Sequence, residues 1–163
     1  MNELSLAKKK YIDFEVACIR EQMRHLGDVA VSNLAQAVYD NREYVPSMHK
    51  ERAYAYEELC RLLRSSILWY PIDAQNCPIT ETEDDGNLKV LAVFSSKAEA
   101  ELGDYIGVAL NFATLDGLIY IMDRFGIELA IVDGDGCEPL RLYSETIAAI
   151  ACQEYGYRFI YGV

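Results

Sequence analysis

The chain predicts an α+β fold, in which an N-terminal three-helix segment packs on a small mixed sheet that carries helices of its own. Three observations carry that expectation. Apolar residues recur at steps of three and four through the first 64 positions. After Ser65-Ser66 the period changes to short β-branched and aromatic runs. Strand-like and helix-like stretches then alternate in the order β-β-α-β-α-β-α-β. No Gly/Ser/Pro linker lies at this boundary, so the helical segment 1–64 and the acidic α/β portion 65–163 are expected to form one compact unit.

Ile12, Val16, Ile19, Met23 and Leu26 define an apolar stripe and a first helix over residues 4–26, with Gly27 ending it and Asp28 capping the next. A second helix is expected over 29–40, with Val31, Leu34, Ala35 and Val38 inward and Pro46 beyond it as a breaker. The third runs from Ser47 to Arg64 on a stripe of Tyr56, Leu59, Cys60 and Leu63, with Glu57 and Arg61 spaced for an exposed ion pair. Ile67–Tyr70, stopped by Pro71, and Leu88–Phe94 read as strands, and the polar segment 80–87 between them as an exposed connection. Ser96 and Glu99 form a capping box that opens a short helix through Leu102, closed by Gly103. Then follow a strand at 106–112, a helix at 114–125 ended by Gly126, a strand at 127–132, a turn at Asp133-Gly134-Asp135-Gly136, a helix at 144–154 and a strand at 157–161. Tyr157, Phe159 and Tyr161 share one face of that last strand.

The charge is lopsided. Residues 1–64 carry ten basic and ten acidic side chains, and residues 65–163 carry five against sixteen, so the whole net charge of −11 belongs to the second portion. With a pI near 4.6 and no basic stripe, direct nucleic-acid binding is not expected, because phosphate-backbone affinity comes from Lys and Arg contacts. No window approaches the roughly 20 apolar residues of a membrane span, and the start has acids and no apolar signal core. No membrane association and a cytoplasmic location are therefore expected. The five cysteines, Cys18, Cys60, Cys77, Cys137 and Cys152, are odd in number and contain no CxxC pair, which fits reduced thiols.

The familiar catalytic and metal signatures are missing. Asp133-Gly134-Asp135-Gly136 has the alternating acids of a calcium loop, but an EF-hand starting there would need glycine at Glu138 and glutamate at Ser144. His25 and His49 have no second ligand at metal spacing, and there is no GxSxG, GxxxxGK(S/T) or GxGxxG. Neither a cofactor nor a metal is expected, and no catalytic residue is assigned. Tyrosines are numerous in and beside the acidic portion, among them Tyr105, Tyr143 and Tyr155. Such side chains suit protein recognition because each offers apolar area and a hydroxyl.

Leu62–Pro71, then Val90–Glu99 with its Phe94-Ser95-Ser96 turn, the central helix and Leu129–Gly136 together resemble the N-terminal domain of the enhanced serine sensitivity (SseB) family over about residues 58–155. The resemblance implies a compact bacterial α+β module without an established enzymatic activity, and it carries over no catalytic residue.

These features point to a non-catalytic acidic module that binds a basic protein partner, for instance as an immunity or inhibitor protein. The expected contact residues are Glu81, Glu83, Asp84, Asp85, Asp133, Asp135 and Glu138, the densest acids on loops. Two alternatives stand beside it. One is a scaffolding module that oligomerises through the N-terminal helices, by an apolar stripe including Leu6 and Tyr11. The other is an enzyme of unfamiliar type using Asp104, Asp116 or Asp133 in a pocket.

Overall fold

The computed structural model describes residues 2–26, 49–102, 105–132 and 139–152. The second helix expected at 29–40, the Asp133–Gly136 turn, the strand expected at 157–161, Gly103, Asp104, Cys137 and Tyr155 lie outside the described residues.

Helices α1 (Glu3–Leu26) and α2 (His49–Ser65) form an antiparallel pair. Tyr11 meets Tyr56 at a ring-centroid distance of 5.1 Å. The α2 stripe holds as expected, with Tyr56, Leu59, Cys60 and Leu63 all buried. Of the α1 stripe, Ile12 is half-buried and Val16 is 36% exposed, while the side chains of Ile19, Met23 and Leu26 lie outside the described residues; the buried positions described on α1 are Leu4, Ser5, Ala7, Lys8 and Cys18. The start of α1 is fastened to the end of the third strand, where Asn2 Nδ2 donates to Ser95 Oγ at 2.8 Å and the Ser5 and Ser95 hydroxyls meet at 3.2 Å. Asn2 Oδ1 meanwhile caps the helix by accepting from Ser5 N at 2.8 Å. Polar residues thus enter the buried face, which a stripe of apolar letters cannot reveal. On α2 the ion pair forms between Glu58 and Arg61 at 2.6 Å, three residues apart, rather than between Glu57 and Arg61.

Six strands follow: β1 (Leu68–Pro71), β2 (Glu81–Glu83), β3 (Leu88–Val93), β4 (Leu110–Ala113), β5 (Leu129–Val132) and β6 (Leu140–Tyr143). Helix α3 (Lys97–Ala100) follows β3, α4 (Leu115–Phe125) follows β4 and α5 (Ser144–Ala151) follows β6. The α+β class is as expected, with two additional strands. The connection at 80–87 contains β2, and Leu140–Tyr143 forms β6 before the last described helix. The strand expected at 106–112 is confined to Leu110–Ala113, because residues 105–107 form a turn with Gly107 at φ 75° and Val108 N bonded to Tyr105 O at 3.1 Å.

β2-β3-β5-β6 make a mixed four-stranded sheet, in which β3 and β5 are parallel and the outer pairs antiparallel. β1 and β4 pair separately, and a bridge between Trp69 and Phe94 ties them to the end of β3. One face of the large sheet carries Leu91, Val93, Ala130, Val132, Leu140 and Leu142. These are buried in one cluster with α2, α4 and α5, so the helical pair and the sheet share a core.

α4 shows how local chemistry sets an element. Thr114 caps its N-terminus by accepting from Gly117 N. At the other end Gly126 takes the left-handed conformation (φ 66°), Ile127 N bonds Met122 O at 2.8 Å, and Lys89 Nζ donates to the terminal Phe125 carbonyl at 2.7 Å. Ser96 likewise caps α3 through Glu99 N, as the capping-box pattern requires, although the helix ends at Ala100 rather than Leu102.

Candidate functional site

The opposite face of the four-stranded sheet carries the acidic hairpin at one corner. Alternation along the strands brings Glu81, Val90, Leu129 and Tyr143 into one cross-strand row and Ala92, Ile131 and Arg141 into another, with Glu83 opposite Leu88 on the same face. Four of the seven acids expected to contact a partner stand at one corner of this face. Asp133, Asp135 and Glu138 lie outside the described residues.

The corner is a β-hairpin. Glu83 faces Leu88 across a turn made by Asp84, Asp85, Gly86 and Asn87, and the first three of these have positive φ (54°, 53° and 89°). Gly86 N bonds Glu83 O at 3.2 Å and Asn87 N bonds Asp84 O at 3.0 Å, so the chain reverses through consecutive left-handed residues. This turn class matches the twist of the flanking strands, and aspartate tolerates the left-handed region better than most residues. The carboxylates of Asp84 and Asp85 are exposed, and neither has a cationic partner among the described residues.

The other two acids are engaged. Tyr105 OH donates to Glu81 Oε1 at 3.0 Å, and the Tyr105 ring packs edge-on against Phe94 at 5.6 Å. Arg141 donates to both Glu83 oxygens, at 2.7 and 3.3 Å. This hydrogen-bonded guanidinium holds the Glu83 carboxyl below the usual glutamate range, and Glu83 in turn raises the basicity of Arg141. Glu83 therefore serves the sheet, and Asp84 and Asp85 are the charges the corner presents outward. Tyr143, half exposed beside Arg141, adds an aromatic surface to the same face.

Arg141 was not expected at the site. The alternation in Leu140-Arg141-Leu142-Tyr143, with buried leucines between exposed polar residues, is the signal that marks this strand and places Arg141 on the face opposite the core.

Asp116 is exposed in the first turn of α4, and Asp104 and Asp133 lie outside the described residues. No group of three or more His, Cys, Asp or Glu side chains able to hold a metal ion occurs among the described residues. Cys18 and Cys60 are buried, Cys77 is half-buried and Cys152 is exposed, and no disulfide joins any two of these four. Burial pushes the Cys60 thiol up to about 12. No described helix is long and apolar enough to cross a membrane. No family model, no curated protein and no solved structure matches the chain.

Proposed function

We propose that the protein is a cytoplasmic, non-catalytic binding module, similar to the SseB N-terminal domain, whose acidic corner engages a basic protein in the manner of an immunity or inhibitor protein. The observation that carries this reading is the projection of Asp84 and Asp85 from a tight hairpin, next to Glu81, Tyr105 and Tyr143, on the portion of the chain that holds the entire net charge of −11. A rigid turn presents the charges at little conformational cost, and the adjoining tyrosines supply contact area at an interface centre. A field of one sign steers a basic partner toward this corner and raises the association rate, an effect that salt screens.

The test uses the full chain immobilised against host extract at low and at high salt, followed by association kinetics with the purified captured protein. A basic partner is expected, with an association rate that falls at least about tenfold in Glu81→Gln/Asp84→Asn/Asp85→Asn. Asparagine keeps the left-handed turn, so the variant changes charge without changing the hairpin. Association of this variant at the wild-type rate, or capture that ignores salt, would refute the reading.

A further inference from the structure

We propose that the outer edge of β4 receives an extended segment of the basic partner as a further strand, paired through the backbone of Leu110 and Phe112 and carrying lysine or arginine at its two ends. The inference rests on the reading of a basic partner given above and names how that partner is held. Among the described residues β4 pairs with β1 alone. One bond fixes where its backbone groups point. Ile72 N donates to Ala109 O at 2.9 Å, so alternation along the antiparallel ladder turns Asn111 and Ala113 toward β1 and Leu110 and Phe112 away from it. Trp69, opposite Phe112, has the matching phase, because its N–H and its carbonyl both bond Phe94 at 2.8 Å. The outward N–H of Phe112 donates to Asn111 Oδ1 at 2.9 Å, a side-chain oxygen in the role that a neighbouring strand's carbonyl takes inside a sheet. Asn111 and Phe112 are both exposed, Phe112 to 55%, so an incoming chain can reach the edge.

Charge separates this edge from the other end strands and selects its occupant. An unpaired strand is normally guarded by charged side chains. β2 carries Glu81 and Glu83 and β6 carries Arg141, whereas residues 105–115 contain no charged side chain. Acids stand instead at the two ends of the edge. Asp73 follows Ile72, which bonds the chain just before β4, and Asp116 lies three residues beyond Ala113; both are exposed. A second copy would add its own −11 to an edge already bounded by acids, while a segment with an apolar centre and basic ends meets opposite charge at both. Its centre meets aromatic surface. Phe112 lies 5.2 Å from Trp69, on the face away from the buried Leu68 and Tyr70. The aromatic row continues to the acidic corner: Trp69 bridges to Phe94, the Phe94 ring meets Tyr105 at 5.6 Å, and Tyr105 OH donates to Glu81. A single bound protein can therefore span corner and edge, with main-chain pairing supplying affinity and the alternating side chains selectivity.

The probe is an acetylated and amidated peptide, Lys-Val-Thr-Val-Thr-Val-Lys, added to the full chain at low salt. Trp69 is the only tryptophan, so its emission reads the site. A saturable change is expected, with amide exchange at Leu110 and Phe112 slowed at least about tenfold at saturation. The same peptide with glutamate at both ends, and one with proline at its centre, are each expected to bind at least about tenfold more weakly. Leu110→Pro removes an outward donor and spares the β1 ladder, where Pro71 stands opposite, and is expected to weaken binding by the same factor. Phe112→Lys, which guards the edge with a charge and leaves the backbone intact, is expected to do likewise and covers the case in which proline disturbs β4. Glu81→Gln/Asp84→Asn/Asp85→Asn is expected to bind the peptide like wild type. If capture of a basic protein fails while the peptide binds as stated, the acidic-corner reading falls and the strand site stands. No response of Trp69 to the lysine-ended peptide at millimolar concentration, equal binding of the glutamate-ended or proline peptide, or wild-type binding by both edge variants would each overturn the proposal. So would a wild-type dimer that Leu110→Pro dissolves, since a second copy would then occupy the edge.

Discussion

Arg141 on β6 and Glu83 on β2 stand on the two outermost strands of the four-stranded sheet, and their side chains meet in a two-point ion pair. Three strand spacings separate these edges by roughly 14 Å in a flat sheet. Contact therefore requires the twist of the sheet to curl its diagonal corners toward one another. The pair passes over β3 and β5, which place Val90 and Leu129, both buried, on the same face. The acidic hairpin is thereby tied to the far edge of the sheet.

Replacing Arg141 by Met is expected to return the Glu83 carboxyl toward its ordinary value, as read by carboxyl-carbon NMR against pH. The folded-state value is depressed by Arg141, so the pair contributes stability above the unfolded carboxylate range that is lost as pH falls through the folded value. The acid limb of stability should flatten in the variant. The neutral-pH change is expected to be small because the pair is solvent-exposed.

Lys8 is 1% exposed, and its Nζ has no hydrogen-bond partner among the described residues. Burial of an ammonium without a partner is costly, so Lys8→Met, which keeps the length and removes the polar end, is expected to stabilise by about 1–3 kcal/mol. A shift of the denaturant midpoint to higher concentration at unchanged slope checks this. A destabilised variant would mean that the amine finds an anionic partner in solution.

Gly126 ends α4 with φ 66°, and an added Cβ would meet nothing within 4 Å. The cost of Gly126→Ala is therefore that of the backbone conformation, about 1 kcal/mol, with no steric contribution. Lys89→Met is expected to lose a further ~0.3–1 kcal/mol by leaving the Phe125 carbonyl without its cationic donor. Denaturation of the two single variants and the double variant measures both.

On the alkaline side, burial raises the Cys60 thiol to about 12, and Tyr11 and Tyr56 are raised by burial as well. The folded state keeps these protons after the unfolded chain has released them. The stability they contribute is complete below the unfolded thiol value and is lost as pH rises toward the folded one. Each such group adds a slope of about 1.4 kcal/mol per pH unit. Cys60→Ala is expected to reduce the steepness just above the ordinary thiol pKa, before the tyrosines begin to contribute, as measured by thermal melts across that range.

How much was legible in advance depended on whether the signal was local. The α2 stripe, the Thr114 and Gly126 ends of α4 and the Ser96 cap involve residues within one or two turns, and each appears where its spacing places it. The burial of Ser5 and Lys8 at the start of α1 is not legible in apolar periodicity, which does not count polar residues. Two of the three β2 residues are glutamates, which are depleted in strands, so the segment reads as an acidic connection; pairing with β3 supplies what propensity lacks. The concentration of acid near Glu81–Asp85 was visible, but its division into an engaged Glu83 and an outward Asp84 and Asp85 was not, since Arg141 lies 58 residues away along the chain.

From the amino-acid order alone followed the α+β class, the helical first portion, the punctuation of the individual elements and the one-sided charge. All of these rest on hydrogen bonds, periodicities and counts spanning a few neighbouring residues. The polar face that the start of α1 buries, the diagonal clasp of Glu83 with Arg141 and the burial of the Lys8 amine arose only on folding. Each is a contact between segments distant in sequence, and its geometry is set by packing and sheet twist rather than by local preference.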